Sequence, residues 1–158
     1  MTRATASLMI AWTAAVGVRL AGQDLRITPN EGVAIRVSVE TLANHVVQFA
    51  GMRVRLADAI VERIVSPRAF VLIGSRDVAG LEGRDRIGIV VESGTASVVQ
   101  NMPVVVTGPA GTFQGARVVG ALTRGSALTE AEREALSRYP LIVATTVETP
   151  GNVDLLRR

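Results

Sequence analysis

The sequence predicts a mainly β domain: a small five-stranded β-barrel, closed or partly open, with short helices beside it. Two observations carry this. The stretch Phe49 to Leu72, FAGMRVRLADAIVERIVSPRAFVL, sets a glycine, a long β-rich run, a Ser-Pro-Arg turn and a second apolar run in succession, as the first hairpin of a barrel does. Further short apolar runs then follow, separated by glycine-punctuated polar segments. Composition agrees: 158 residues, 48% hydrophobic and 20% charged, suit one folded domain with its own core. Valine clusters such as Val104 to Val106 favour strands, because β-branched side chains fit a pleated, half-buried surface.

The chain opens on Met1-Thr2-Arg3, then an uncharged stretch from Ala4 to Val18 with Leu8, Met9, Ile10 and Trp12, then small residues. This is the order of a secretory signal peptide, and its apolar part is shorter than the roughly 20 residues of a membrane-spanning helix. Residues 1–22 are expected to be that leader, cleaved at 17 or 21. Gly17 with Ala15 two before it fits the small-x-small rule better than Ala21, where Arg19 takes the small position. The expected location is secreted or periplasmic, in the cell envelope, with no transmembrane segment after cleavage. Residues 23–37, with Pro29, Asn30 and Gly32, read as a linker, and 38–150 as the barrel domain.

Ser38 is placed to cap a helix from Val39 to about Phe49, since Val39, Leu42, Val46 and Phe49 recur at spacings of three and four. Gly51 ends it. From Met52 the period becomes two, with Met52, Val54 and Leu56 on one face and Arg53 and Arg55 on the other. The alternation blurs at Ala57-Asp58-Ala59 before Ile60 to Val65, which predicts a bulge that lets one strand bend and serve both halves of the barrel. Pro67 marks the turn, Ala69 to Ile73 strand two, Arg86 to Val91 strand three and Pro103 to Thr107 strand four, after which Gly108, Gly111 and Gly115 break the pattern. Thr129 with Glu132 makes a capping box for a helix from Glu130 to about Arg138. Pro140 to Val147 reads as the last strand and residues 151–158 as a flexible tail. The barrel core is expected to hold Val54, Leu56, Phe70, Leu72, Val90, Val105 and Val143.

Four passages carry a resemblance. They are Phe49-Ala50-Gly51 between helix and strand, the turn Ser66-Pro67-Arg68-Ala69-Phe70, the strand Val104-Val105-Val106-Thr107-Gly108, and Glu130-Ala131-Glu132-Arg133-Glu134 leading into Tyr139-Pro140-Leu141-Ile142-Val143-Ala144. Together they resemble a largely uncharacterised group of exported bacterial proteins with an OB-like five-stranded barrel. The chain departs from that pattern at Asp58, where such barrels often carry glycine in the bulge. The resemblance implies a fold and a compartment and brings no catalytic residues with it.

All 17 basic residues are arginine, so a Schiff-base lysine and a Walker A lysine are both excluded. There is no cysteine, and His45 is the only histidine, which leaves no ordinary zinc ligand set. No G-x-S-x-G elbow accompanies that histidine. Asp77, Glu82 and Asp85 interleave with Arg76, Arg84 and Arg86 and lack the spacing of a calcium loop. Gly108, Gly111 and Gly115 do not match a dinucleotide fingerprint. The sequence therefore assigns no catalytic residue, no metal and no cofactor.

What remains is basic. Arg53, Arg55 and Arg63 share parity on strand one and Arg68 sits at the adjoining turn, so the barrel is expected to present an arginine stripe. OB-folds use such a face with its loops, here Gly74 to Asp85 and Gly108 to Gly125, for oligonucleotides or oligosaccharides. The expected function is a non-enzymatic, exported OB-like binding module with an unknown protein or small-polymer ligand. The alternatives are an OB-fold binding nucleic acid or oligosaccharide and, below them, an enzyme using carboxylates such as Asp58 and Asp85. Nucleic acid ranks low because losing Arg3 and Arg19 with the leader brings the charge close to neutrality, and aromatic platforms for bases are few.

Overall fold

A computed structural model describes residues 32–75, 85–113 and 127–157. The expected leader, the start of the linker, Asp77 and Glu82, and most of the Gly108 to Gly125 segment lie outside the described residues. In chain order the elements are β1 (Ile35–Val37), α1 (Val39–His45), β2 (Arg53–Ser66), β3 (Ala69–Gly74), β4 (Arg86–Val91), β5 (Thr95–Ala96), β6 (Pro103–Gly111), α2 (Glu130–Leu136), β7 (Leu141–Ala144), β8 (Thr146–Glu148) and β9 (Leu156–Arg157).

The expected mainly β, five-stranded closed barrel is what these elements build. β2 pairs antiparallel with both β3 and β6, β3 with β4, β4 runs parallel to β7, and β7 returns antiparallel to β6, which closes the ring. β2 makes closure possible. Its first half lies against β6, from Arg53 opposite Pro109 to Ile60 opposite Pro103, and its second half lies against β3. The register slips between Leu56 and Ala59, at the Ala57-Asp58 step where the sequence alternation blurs. Among the described residues the non-glycine positions with positive φ are Asn101 and Asn152, so the bulge forms at Asp58 without the left-handed backbone that would call for glycine.

Val54, Leu56, Ala59 and Val61 of β2 point inward with Phe70, Leu72, Ile87, Ile89, Val104, Val106 and Ile142. Val39 and Leu42 of α1 join this cluster. Ser38 caps α1 by accepting from the Thr41 N–H, as its position in the sequence suggests. Thr107 and Glu132 are the buried polar or charged residues among those described, and neither belongs to this interior.

A second apolar layer lies outside the ring. Leu136 of α2 and Leu128 before it pack with Ala69 and Val71 of β3, Val90 of β4, and Leu141 and Val143 of β7. Gly88 permits the approach, since a Cβ there would stand 2.5 Å from Leu141 Cδ2 and 3.2 Å from Leu136 Cδ2. β3, β4 and β7 are thus covered on both faces, which is why their sequences are continuous apolar runs without alternation. All seven residues expected in the core are buried, but Val90 and Val143 belong to this outer layer and Val105 faces outward beside β8.

Four further expectations change. Strand four continues through Gly108 to Gly111, and Gly108 is needed inside it because a Cβ would collide with the Val143 carbonyl where β6 meets β7. The last strand divides at Thr145, whose N–H and Oγ1 both donate to the Thr107 carbonyl, at 2.8 and 3.1 Å, so β7 stays with β4 while β8 pairs with β6. The end of the expected linker is a strand, β1, which runs parallel to β2 with α1 as the crossover. The tail is tied down: the Leu155 N–H donates to Val147, β9 pairs with β5, and Leu155 and Leu156 pack on the interior cluster.

Candidate functional site

The four arginines expected to form one stripe occupy two places. Arg53 and Arg55 face outward from the first half of β2, opposite Pro109 and Thr107 of β6. Beyond the bulge a second register shift, between Val61 and Arg63, sets Arg63 opposite Val71 of the outer layer. Its guanidinium Nη2 reaches the Ala135 carbonyl at 3.5 Å, a long contact onto α2. Arg68 lies in the β2–β3 turn beside Glu132. Eight residues of extended chain, roughly 25 Å, separate Arg55 from Arg63, so Arg53 and Arg55 share one part of the surface and Arg63 and Arg68 lie toward the α2 end.

The α2 end is organised around Glu132, 3% exposed. Its Oε2 accepts from the Thr129 N–H at 2.8 Å and its Oε1 from the Ser66 hydroxyl at 2.5 Å, while Thr129 Oγ1 accepts from the Glu132 N–H. The capping box read from the sequence therefore also ties α2 to the β2–β3 turn. Burial alone would push this carboxyl up, but the hydrogen bonds from Ser66 and Thr129 and the charge of Arg68 outweigh it and hold the group below its ordinary value. A carboxylate fixed in its ionised form with both oxygens engaged is a latch and a poor proton donor.

The other acids are dispersed. Glu62, at the second register shift, receives a two-pronged bond from Arg86 at 2.7 and 2.8 Å. Asp58 stands 4.0 Å from Arg36 and Asp85 accepts from the Asn44 amide at 3.2 Å, so the two carboxylates considered for catalysis have different partners. His45 lies exposed in the last turn of α1. Among the described residues no three His, Asp or Glu side chains are placed to hold a metal ion, and no helix is long and apolar enough to cross a membrane.

The Arg53–Arg55 end gains a member that sequence reading missed. β1 sets Arg36 directly opposite Arg55, Arg55 lies opposite Thr107, and Thr107 opposite Thr146 of β8, so one row crosses four strands. Val54 and Leu56 point into the core and Val37 packs against it, which turns Arg36, Arg53 and Arg55 outward together. Asp58 and Glu148 flank them, with Glu148 Oε2 at 3.6 Å from Arg55 Nη2. Thr107 is 5% exposed, and its hydroxyl has no hydrogen-bond partner among the described residues. The signal for Arg36 was present as the alternation Ile35-Arg36-Val37, too short to separate from a linker.

Compared with protein-family models, with curated proteins and with solved structures, the chain matches none.

Proposed function

We propose that this domain is a non-enzymatic, OB-like binding module of the cell envelope or extracellular space, and that it recognises its ligand on the outer face of β1, β2, β6 and β8. One observation carries the reading: three arginines from two adjacent strands share that face, and neither apolar cluster includes its outward residues. The alternatives on the same fold are less favoured. The barrel interior is filled with apolar side chains, and the outer face of β3, β4 and β7 lies under α2. Of these three surfaces of the barrel, the β1–β2–β6–β8 face is the one that offers a ligand polar groups. The extracytoplasmic placement rests on the leader-like pattern of Met1 to Ala21.

Nucleic acid ranks below a protein or oligosaccharide ligand, because Phe70 is buried in the interior cluster and Phe49, Phe113 and Tyr139 pack, partly buried, against the two clusters, and none of the four lies on the arginine face. Cell fractionation with N-terminal sequencing tests the compartment. A mature protein beginning near Val18 or Gly22 in the periplasm or medium supports the proposal, and a cytoplasmic protein that keeps its N-terminus overturns that part of it.

A further inference from the structure

We propose that Arg36, Arg53 and Arg55, with the Thr107 hydroxyl, form a site for a tetrahedral oxyanion, a phosphate group carried by the ligand; this rests on the binding face proposed above and names its chemistry. Neighbouring strands lie about 4.8 Å apart and alternate residues on one strand about 6.7 Å, so the three arginines start from points close enough for their side chains to meet over one anion. Arg36 and Arg55 are direct cross-strand partners. Like charges directly opposite each other destabilise a sheet, and among the described residues this pair is compensated by two loose contacts, Asp58 at 4.0 Å and Glu148 at 3.6 Å. The Arg36 and Asp58 side chains are largely exposed, so the first contact is weak and easily exchanged.

The second observation is independent of charge. The Thr107 hydroxyl has left water without gaining a hydrogen bond, an arrangement that folding disfavours and that marks places where an ion or ligand completes the set. It stands at the same cross-strand level as Arg36 and Arg55. An oxyanion over this row accepts from the guanidinium groups of the three arginines in the forked geometry arginine favours and from the Thr107 O–H. Arg55 then exchanges Glu148 for the anion, which makes Glu148 a competitor for the same guanidinium.

The test is a titration of the full chain with inorganic phosphate, followed by NMR of backbone amides and arginine Nε–H groups, against sodium chloride at matched ionic strength. Saturable shifts at Arg36, Arg53, Arg55 and Thr107 that chloride does not reproduce are expected. The double variant Arg36→Gln, Arg55→Gln should lose at least tenfold in affinity. Glu148→Gln, which removes the competitor, should tighten binding severalfold, an effect that misfolding cannot mimic. Thr107→Val should weaken binding while raising Tm by about 2–4 °C, because it removes an unsatisfied buried hydroxyl at constant shape. A hexose phosphate and phosphatidylglycerol vesicles, with phosphatidylcholine as control, then distinguish a soluble from a lipid source of the group. Equal shifts with chloride, or phosphate binding unchanged in the double variant, overturn the proposal. If a neutral oligosaccharide shifts Arg53 and Arg55 while phosphate does not, the anion site falls and the binding face stands; if neither probe moves this face, both fall.

Discussion

Glu132→Ala should destabilise the domain far more than a change in one helix normally does. The carboxylate holds the Thr129 N–H at the start of α2 and the Ser66 hydroxyl in the β2–β3 turn, and Arg68 faces it. Loss of a helix cap costs about 0.5–2 kcal/mol, and stranding donors in a buried site costs about 1–3 kcal/mol, not additively, so a total near 2–4 kcal/mol is expected. Glu132→Gln keeps one acceptor and loses the charge, and should cost about half as much. The pH dependence has a definite sign. A carboxylate whose folded pKa lies below its unfolded value stabilises the protein fully above the unfolded value, about 4.3, and that contribution is lost as pH falls through the folded pKa. Urea denaturation of wild type and Glu132→Gln at several pH values between 7 and 3 should therefore show a gap that is constant down to about pH 5 and narrows below about 4.3. A gap of zero at pH 7, or one that widens on acidification, would refute the latch.

Phe70 is fully buried in the interior cluster, so Phe70→Ala should cost about 3–5 kcal/mol by thermal or chemical denaturation, and a loss under about 1 kcal/mol would place it elsewhere. Gly108→Ala should be more damaging than Gly88→Ala: the new methyl meets the Val143 backbone at the first site and the movable ends of Leu141 and Leu136 at the second, which comparative melting reads directly. Deleting residues 151–158 removes Leu155 and Leu156 from the interior cluster and should cost about 1.5–3 kcal/mol; an unchanged Tm would restore the picture of a loose tail. A labelled single-stranded oligonucleotide should bind weakly or not at all at physiological salt, since a few arginines release few counterions; micromolar binding that collapses in Arg53→Ala, Arg55→Ala would bring the nucleic-acid reading to the front.

The parts of the fold that could be read from sequence are those set by short-range chemistry. Ser38 and the Thr129/Glu132 pair cap their helices because an oxygen at that spacing meets a free N–H. The β2 bulge is visible because period-two alternation fails at one place. Which core a residue serves is another matter. Along β3, β4 and β7 both faces are buried, so Phe70 and Val71, or Val90 and Val91, look alike in sequence although one faces the barrel interior and the other the layer beneath α2. The break at Thr145 was hidden for a similar reason: the turn is made by bonds to Thr107, a residue 38 positions away.

The candidate site depended on register, which sequence patterns specify only between breaks. Counting parity from Arg53 to Arg63 crosses a slip after Leu56 and another after Val61, and the strand twists throughout, so equal parity no longer means a shared surface. The same counting missed Arg36, because a three-residue strand acquires its face only from its partner, here through Ile35 opposite Val54 and Val37 opposite Leu56. An arginine row built across strands has no signature along the chain. Its trace is energetic, in like charges placed opposite each other and a buried hydroxyl without a partner, and these can be recognised only once the strands are paired.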